Sequence, residues 1–294
     1  MSNSGILLVD KPSGMTSHDL VSCARKIFHT KKIGHNGTLD PDATGVMVLC
    51  VGQATRLNEY LTADDKFYRA TLRFGQETDT QDISGHVTAS CAFPSLDEAG
   101  FCEVLTQFLG PQKQTPPVYS AIKKDGKPLY QYAREGVEIP DIPQREIEIF
   151  SLTCVSYTPE EAVFDVHCSK GTYIRTLCQD IARACGSCGC MAALRRTAAG
   201  TFDLSQCVTL EDLQAAEEPY ALLVPMANVL VMPRIVVESE AARADLMNGK
   251  RIPLPVLPEI SDVQTRVQAI YDGSLLAVGV LEDDMFVPKK VFHE

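Results

Sequence analysis

At 294 residues, 45% of them apolar and 22% charged, the chain has a soluble protein's composition and room for a large domain plus a small one. No run of ~18 apolar residues offers a membrane span, and the opening Met1-Ser2-Asn3-Ser4-Gly5 lacks the basic and apolar regions of a signal peptide, so the chain is expected in the cytoplasm. A formal charge of −11 weighs against a nucleic-acid partner, because phosphate contacts need local positive charge.

The charge is uneven. Residues 1–34 and 167–200 together carry ten Lys/Arg against three acids, which leaves the remainder at −18 and allows a basic face on an acidic body. Eleven cysteines, an odd number in a chain read as intracellular, argue for reduced thiols. Cys185, Cys188 and Cys190 lack a second cluster or histidines at ligand spacing, so no metal is expected there.

In chain order, Gly5–Asp10 reads as an apolar strand, followed by a turn at Lys11-Pro12-Ser13-Gly14. Ser17 is placed to cap a helix to about Phe28, with Leu20, Val21, Ala24 and Ile27 on its apolar face. Residues 35–45 form a loop that carries one acid, Asp40, ahead of Pro41 and runs into the buried strand Val46–Cys50. Gly37 and Gly45 permit backbone geometry closed to other residues, and Pro41 fixes its own φ and biases Asp40 towards extended geometry. Taken alone, this is either an ordinary Asp-Pro turn or a stiff mount that aims one carboxylate.

A short helix is expected near Ala54–Leu61. Residues 67–74 alternate, with Tyr68, Ala70, Leu72 and Phe74 opposite Arg69, Thr71 and Arg73, which makes a half-buried strand before a polar loop holding Asp79 and Asp82. Ser95 and Glu98 form a capping box for a helix to about Leu109. From 111 to 145, prolines at 111, 116, 117, 128, 140 and 143 exclude a continuous helix, while Lys113, Lys123, Lys124 and Lys127 interleave with Tyr119, Tyr130 and Tyr132. That pattern fits a solvated insertion or an RNA-gripping loop. Strands fit Glu146–Phe150 and Ala162–Cys168, a helix fits Thr172–Ala184, and Leu194-Arg195-Arg196-Thr197 begins another strand. Residues 203–232, with five acids and no Lys or Arg, read as a connector with short helices. Beyond it, strands at Arg234–Glu238, Val263–Tyr271, Ser274–Leu281 and Met285–Phe292, with a helix at Ser239–Asn248, suggest a small β-barrel module.

The run His35-Asn36-Gly37-Thr38-Leu39-Asp40-Pro41-Asp42-Ala43-Thr44-Gly45-Val46, followed by Gly52-Gln53-Ala54-Thr55-Arg56, resembles the signature of the TruB family of tRNA pseudouridine synthases, His-x-Gly-Thr-Leu-Asp-Pro-x-Ala-x-Gly-Val and later Gly-x-Ala-Thr-Lys. Every fixed position matches except the last, where Arg56 keeps the lysine's charge. The likeness continues through Lys66-Phe67-Tyr68-Arg69-Ala70, the segment from Pro117 to Tyr130, and Cys168-Ser169-Lys170-Gly171-Thr172-Tyr173-Ile174-Arg175-Thr176, and so covers most of the chain. It is weakest after 233, where it rests on strand spacing and Asn248-Gly249.

The resemblance implies an α+β fold. A mixed, mostly antiparallel pseudouridine-synthase sheet with flanking helices would occupy residues 1–232, with the RNA-gripping insertion at about 111–145, and a small PUA-like β-barrel would occupy 233–294. It implies a monomeric enzyme that converts uridine 55 in the tRNA T-loop to pseudouridine without guide RNA, metal or other cofactor. By the same likeness, Asp40 is the catalytic aspartate, Arg175 pairs with it, and Lys11 with Pro12 supports its loop. His35 fills the space vacated by a flipped nucleotide, Tyr68 stacks on the target uracil, and Tyr173 and Leu194 line the uracil pocket. The conversion breaks N1–C1′, turns the uracil and rejoins it through C5 without redox change. A carboxylate at the sugar–base junction therefore suffices, as a nucleophile or as a base towards a sugar proton. Asp79 and Asp82 are read as loop structure. Two other classes stand beside this one: a non-catalytic tRNA-binding chaperone, and a hydrolase using Asp40 with Asp79 or Asp82, which would release free uracil or sugar.

Overall fold

The computed structural model describes residues 3–61, 65–124, 126–137, 139, 142–253 and 265–293. The start of the strand expected over 263–271, and Pro140, lie outside the described residues. Continuous apolar runs take the middle of a sheet, where both faces are covered. β1 (Gly5–Lys11) and β3 (Thr44–Val51) are buried along almost their whole length and pair antiparallel from Gly5↔Val51 to Lys11↔Gly45. Between them come α1 (Ser17–Ile27) and β2 (Ile33–His35), which pairs with the far end of β3. The α1 cap is Thr16, one residue before the expected Ser17; Thr16 and Asp19 bond reciprocally, and the Ser17 hydroxyl is committed to Leu39 instead.

A 3₁₀ turn over Gly52–Leu57 and α2 (Asn58–Leu61) replace the single helix expected at 54–61. β4 (Lys66–Phe74) buries Ala70, Leu72 and Phe74 as the alternation requires. β5 (Gln76–Thr78) and β6 (Val87–Ser90) form a hairpin, and α3 (Glu98–Thr106) is capped by Asp97, whose carboxylate accepts from Gly100, not by Ser95. β7 (Gly110–Gln114) takes the first residues assigned to the insertion into the sheet as its edge strand, the one place where Pro111 is tolerated. The insertion proper holds the small pair β8 (Lys123–Lys124) and β9 (Lys127–Pro128) and α4 (Leu129–Arg134).

β10 (Arg145–Tyr157) runs well past the expected Phe150, because two register shifts break its alternation. β11 (Glu161–Cys168), α5 (Ile174–Ala184) and β12 (Gly189–Ala199) follow; β12 starts before Leu194, in the cysteine-rich stretch. The connector contributes β13 (Phe202–Asp203), β14 (Val208–Thr209) and α6 (Leu210–Ala215).

The sheet order is β14-β1-β3-β12-β4-β11-β10-β7, with β2 on β3 and β13 on β12. β1–β14 and β3–β12 pair parallel and the other neighbours antiparallel, so the sheet is mixed and mostly antiparallel, as expected. α1, α3 and α5 cover one face over a core that includes Leu7, Met47, Leu72, Phe101 and Ile181. Behind β1 and β3, Ile6, Leu8, Val46 and Val48 pack on Met226–Leu230 and on Leu275, Val278 and Phe292.

Leu275 and Val278 belong to a second sheet and Phe292 directly follows its last strand; packed on α7 (Glu240–Met247), the sheet is built from β15 (Arg234–Val236), β16 (Ile252–Pro253), β17 (Val267–Tyr271), β18 (Ser274–Glu282) and β19 (Met285–Val291). Its order is β15-β17-β18-β19-β16, a curled PUA-like half-barrel; among the described residues no pairing closes it.

The thiol expectation needs one correction: Cys91 and Cys188 form a disulfide, with Cα atoms 5.7 Å apart. Gly75 brings them together, accepting from the Cys91 amide and donating to the Cys188 carbonyl. Cys185 and Cys190 are free and buried. Among the described residues, no helix is long and apolar enough to cross a membrane, and no group of three or more His, Cys, Asp or Glu is placed to hold a metal.

Candidate active site

One edge of β3 is shared by two partners. β2 lies along Leu49–Val51, β12 lies along Thr44 and Gly45, and between them the edge is bare of strand. There the Asn36 amide donates to the Val48 carbonyl at 2.9 Å, and the Arg196 Nε donates to the Val46 carbonyl at 2.7 Å. The loop 36–43 leaves through this gap and carries Asp40 out of the sheet.

Side chains from neighbouring elements fix that loop. Lys11, at the end of β1 and 0% exposed, donates from Nζ to the carbonyls of Pro12 (2.9 Å), Pro41 (2.8 Å) and Ala43 (2.7 Å). Burial pushes its ammonium below the ordinary value, while the charges of Asp42 and Asp40 resist. The Ser17 hydroxyl accepts from the Leu39 amide and donates to its carbonyl. Gly45 has φ +105, and a Cβ there would lie 2.2 Å from the Arg196 carbonyl oxygen. Gly45→Ala is expected to destabilise the fold by about 3 kcal/mol or more, seen as a lowered urea midpoint at unchanged slope.

Asp40 keeps 34% of its side chain open and is gripped by a buried arginine from the first turn of α5. Arg175 Nε lies 3.0 Å from Asp40 Oδ2, and Arg175 Nη2 lies 3.2 Å from Oδ1, a two-point fork. The same guanidinium donates to the carbonyls of Thr80 (3.0 Å) and Tyr119 (2.9 Å) and stands 3.9 Å from Asp82 Oδ2. Burial raises the Asp40 carboxyl above its ordinary value; the Arg175 charge pulls it back and Asp82 pushes it up.

Tyr173 immediately precedes α5, and its backbone amide and carbonyl are both bonded to the Gln114 side chain, at 2.8 and 3.0 Å. Tyr68 extends from β4, where its backbone pairs with Arg196 of β12. Burial raises both phenols, and the Asp40 charge reaches both and adds to the rise. Leu194 lies on β12 opposite Ala70 of β4 and is 9% exposed. His35 closes β2 at the entry to the loop; burial lowers its imidazole below the ordinary value, which favours the neutral ring.

The structure thus joins Asp40 to Arg175 directly, sets Lys11 under the loop, and places Tyr68 and Tyr173 within reach of the Asp40 charge. No hydrogen bond links His35 to Asp40 among the described residues. Asp79 is loop structure, accepting from the His86 amide at 2.8 Å. Asp82 ties the same loop through Thr80 and Ser84 but also faces Arg175, a contact that sequence reading missed. Ser17, Gln114 and Arg196 were missed as well. For Arg196 a signal existed: in a strand, consecutive Arg195 and Arg196 must face opposite sides.

A groove of about 710 Å³ opens along Asp79, Val118, Val137 and Tyr119, whose carbonyl accepts from Arg175. An oriented carboxylate of this kind can serve as a nucleophile or as a base.

Two family models match the chain: the N-terminal domain of TruB family pseudouridylate synthase over residues 25–174, and the C-terminal domain of tRNA pseudouridylate synthase B over residues 175–230. The chain belongs to the TruB family. It is therefore a pseudouridine synthase, an isomerase. Among relatives named tRNA pseudouridine synthase B, the TruB protein of Bordetella avium is 48% identical over 76% of this chain and 91% of its own. That of Caldanaerobacter subterraneus subsp. tengcongensis is 40% identical over 99% of this chain and 100% of its own. Solved structures sharing the TruB-family fold include an H/ACA ribonucleoprotein bound to a substrate RNA containing 2′-deoxyuridine, with TM-score 0.74 and 23% identity over 99% of this chain and 85% of that one. A Cbf5-Nop10-Gar1 complex follows at TM-score 0.72 and 24% identity, over 99% of this chain and 84% of that one.

Proposed function

We propose that this protein isomerises uridine 55 in the T-loop of tRNA to pseudouridine, acting as a cytoplasmic monomer without guide RNA or cofactor. The observation that carries this reading is the forked Asp40–Arg175 pair, its acid presented from a loop anchored from several sides. The names of the bacterial relatives support tRNA as the substrate. The ribonucleoprotein neighbours, at 23–24% identity, bear on the fold alone.

In the proposed reaction the N1–C1′ bond breaks, the uracil turns, C5 bonds to C1′, the C5 proton leaves and N1 takes up a proton, so that the product is an isomer of the substrate. Asp40 either attacks C1′ or removes a sugar proton; both routes need it ionised, and Arg175 favours that form. Tyr68 stacks on the flipped uracil, Tyr173 and Leu194 wall its pocket, Lys11 stiffens the loop and His35 fills the vacated space in the RNA. Catalysis is assigned to residues 1–232 and a PUA-like unit to 233–294, with the segment between β7 and β10 gripping RNA.

The test is to map pseudouridine at every position of an unmodified tRNA incubated with the purified protein alone. One modified T-loop uridine is expected. Binding without any pseudouridine would instead favour the chaperone class, and free uracil would favour the hydrolase.

A further inference from the structure

Arg196 is among the largest fully buried side chains of the molecule, 1% exposed, and no reading so far gives it a role in the reaction. Its backbone, on β12, is in register with Gly45 on one side and Tyr68 on the other. Its side chain spans the bare edge of β3. Nε donates to the Val46 carbonyl at 2.7 Å, and Nη2 reaches the Gly37 carbonyl at 3.4 Å and the Met47 Sδ at 3.2 Å. It thereby ties the entry and the exit of the Asp40 loop to the strand that pairs with Tyr68.

A buried cation is costly unless its surroundings compensate it. Among the described residues no carboxylate forms an ion pair with Arg196; its acceptors are two main-chain carbonyls and a thioether. The loop is already secured by Lys11 and Ser17, so keeping a charged group here goes beyond anchoring. The Arg196 charge also bears on Lys11, His35 and Tyr68 together, pushing the first two towards their neutral forms and lowering the Tyr68 phenol. One guanidinium therefore touches or biases every element of the site on the sheet side of Asp40.

We infer that Arg196 is a positioning residue for the isomerisation: by bonding Gly37 and Val46 from a strand position paired with Tyr68, it sets the distance between the Asp40 carboxylate and the face on which the uracil stacks. The inference rests on the function proposed above. Arg196 does not touch the substrate. Loss of the guanidinium lets the loop and the ring move independently, and a misplacement of about 1 Å at a reacting centre costs on the order of 100-fold in rate.

The experiment uses Arg196→Met, which keeps the stem, and Arg196→Lys, which keeps the charge without the fork. Single-turnover rate and tRNA affinity are measured separately on the full chain. Arg196→Met is expected to bind tRNA as wild type does and to react about 100-fold more slowly, with Arg196→Lys in between. Wild-type rate in Arg196→Met overturns the inference, as does affinity falling in step with rate. Should Arg196→Met not fold, Arg196→Lys decides by the same criterion. A readout independent of turnover is hydrogen exchange of the loop amides between Gly37 and Val46, which should quicken in Arg196→Met while the amides of β1 stay protected. Unmoved exchange overturns the contact. That measurement stands even if wild type makes no pseudouridine, so failure of the assigned activity and failure of this inference are told apart.

Discussion

Asp40→Asn is expected to bind tRNA with unchanged affinity and to lose pseudouridine formation by about four orders of magnitude or more under single-turnover conditions. The substitution is isosteric, so the loop keeps its anchors at Lys11 and Ser17, and Arg175 keeps the Thr80 and Tyr119 carbonyls as acceptors. An amide can accept a hydrogen bond but can neither attack C1′ nor hold an abstracted proton. Affinity should survive because RNA binding draws on many dispersed contacts to phosphate. The comparison needs circular dichroism and a denaturation midpoint beside the rate, since removing one carboxylate alters the charge around Arg175. Full-rate product from a folded Asp40→Asn protein would keep the family assignment and remove Asp40 from the chemistry.

How far this site could be read from sequence depended on the kind of force that fixes each part. β1 and β3 were legible because long apolar runs must be covered on both faces, and the stiffness of the loop around Asp40 because proline and two glycines allow few geometries there, whereas the role of Asp40 came from family likeness. Its pairing with Arg175, 135 positions away, came from family likeness, since no local rule links a loop acid to a distant helix. Ser17 misled because its position next to the true cap disguised a long-range bond to Leu39. Pro111 was counted among the prolines that exclude a helix from 111 to 145, but that rule leaves an edge strand open, and β7 takes it. The Cys91–Cys188 bridge spans 97 positions and depends on a meeting arranged by Gly75. The local charge count needs one refinement. Of the ten cations in the two basic stretches, Lys11, Arg175 and Arg196 are buried around the Asp40 loop, while Lys26, Lys31, Lys32, Lys170 and Arg183 are exposed. Part of the positive charge that suggested an RNA-facing surface is therefore interior, where it orients the site.

Arg175→Met should shift the acidic limb of the pH–rate profile to higher pH, by about one to three units. Two opposing influences act on the Asp40 carboxyl: burial raises it and the Arg175 charge lowers it. With the guanidinium gone, burial acts unopposed by its main counterweight, and Asp82, now 3.9 Å from that guanidinium, faces Asp40 with no cation between them. The sign follows from the chemistry. The active form is the ionised carboxylate, a higher pKa means that form is reached only at higher pH, and so the rate at a fixed acidic pH falls while the alkaline plateau partly recovers. Recovery stays incomplete because the fork also orients the carboxylate, and lost orientation costs roughly 100-fold at every pH. Arg175→Lys separates the two contributions: a point charge restores most of the limb but not the two-point grip, so its profile should lie near wild type in position and below it in height. A profile that merely drops in Arg175→Met without moving would mean that Arg175 orients Asp40 and does nothing for its ionisation. An unchanged profile would mean that the forked pair is architecture alone.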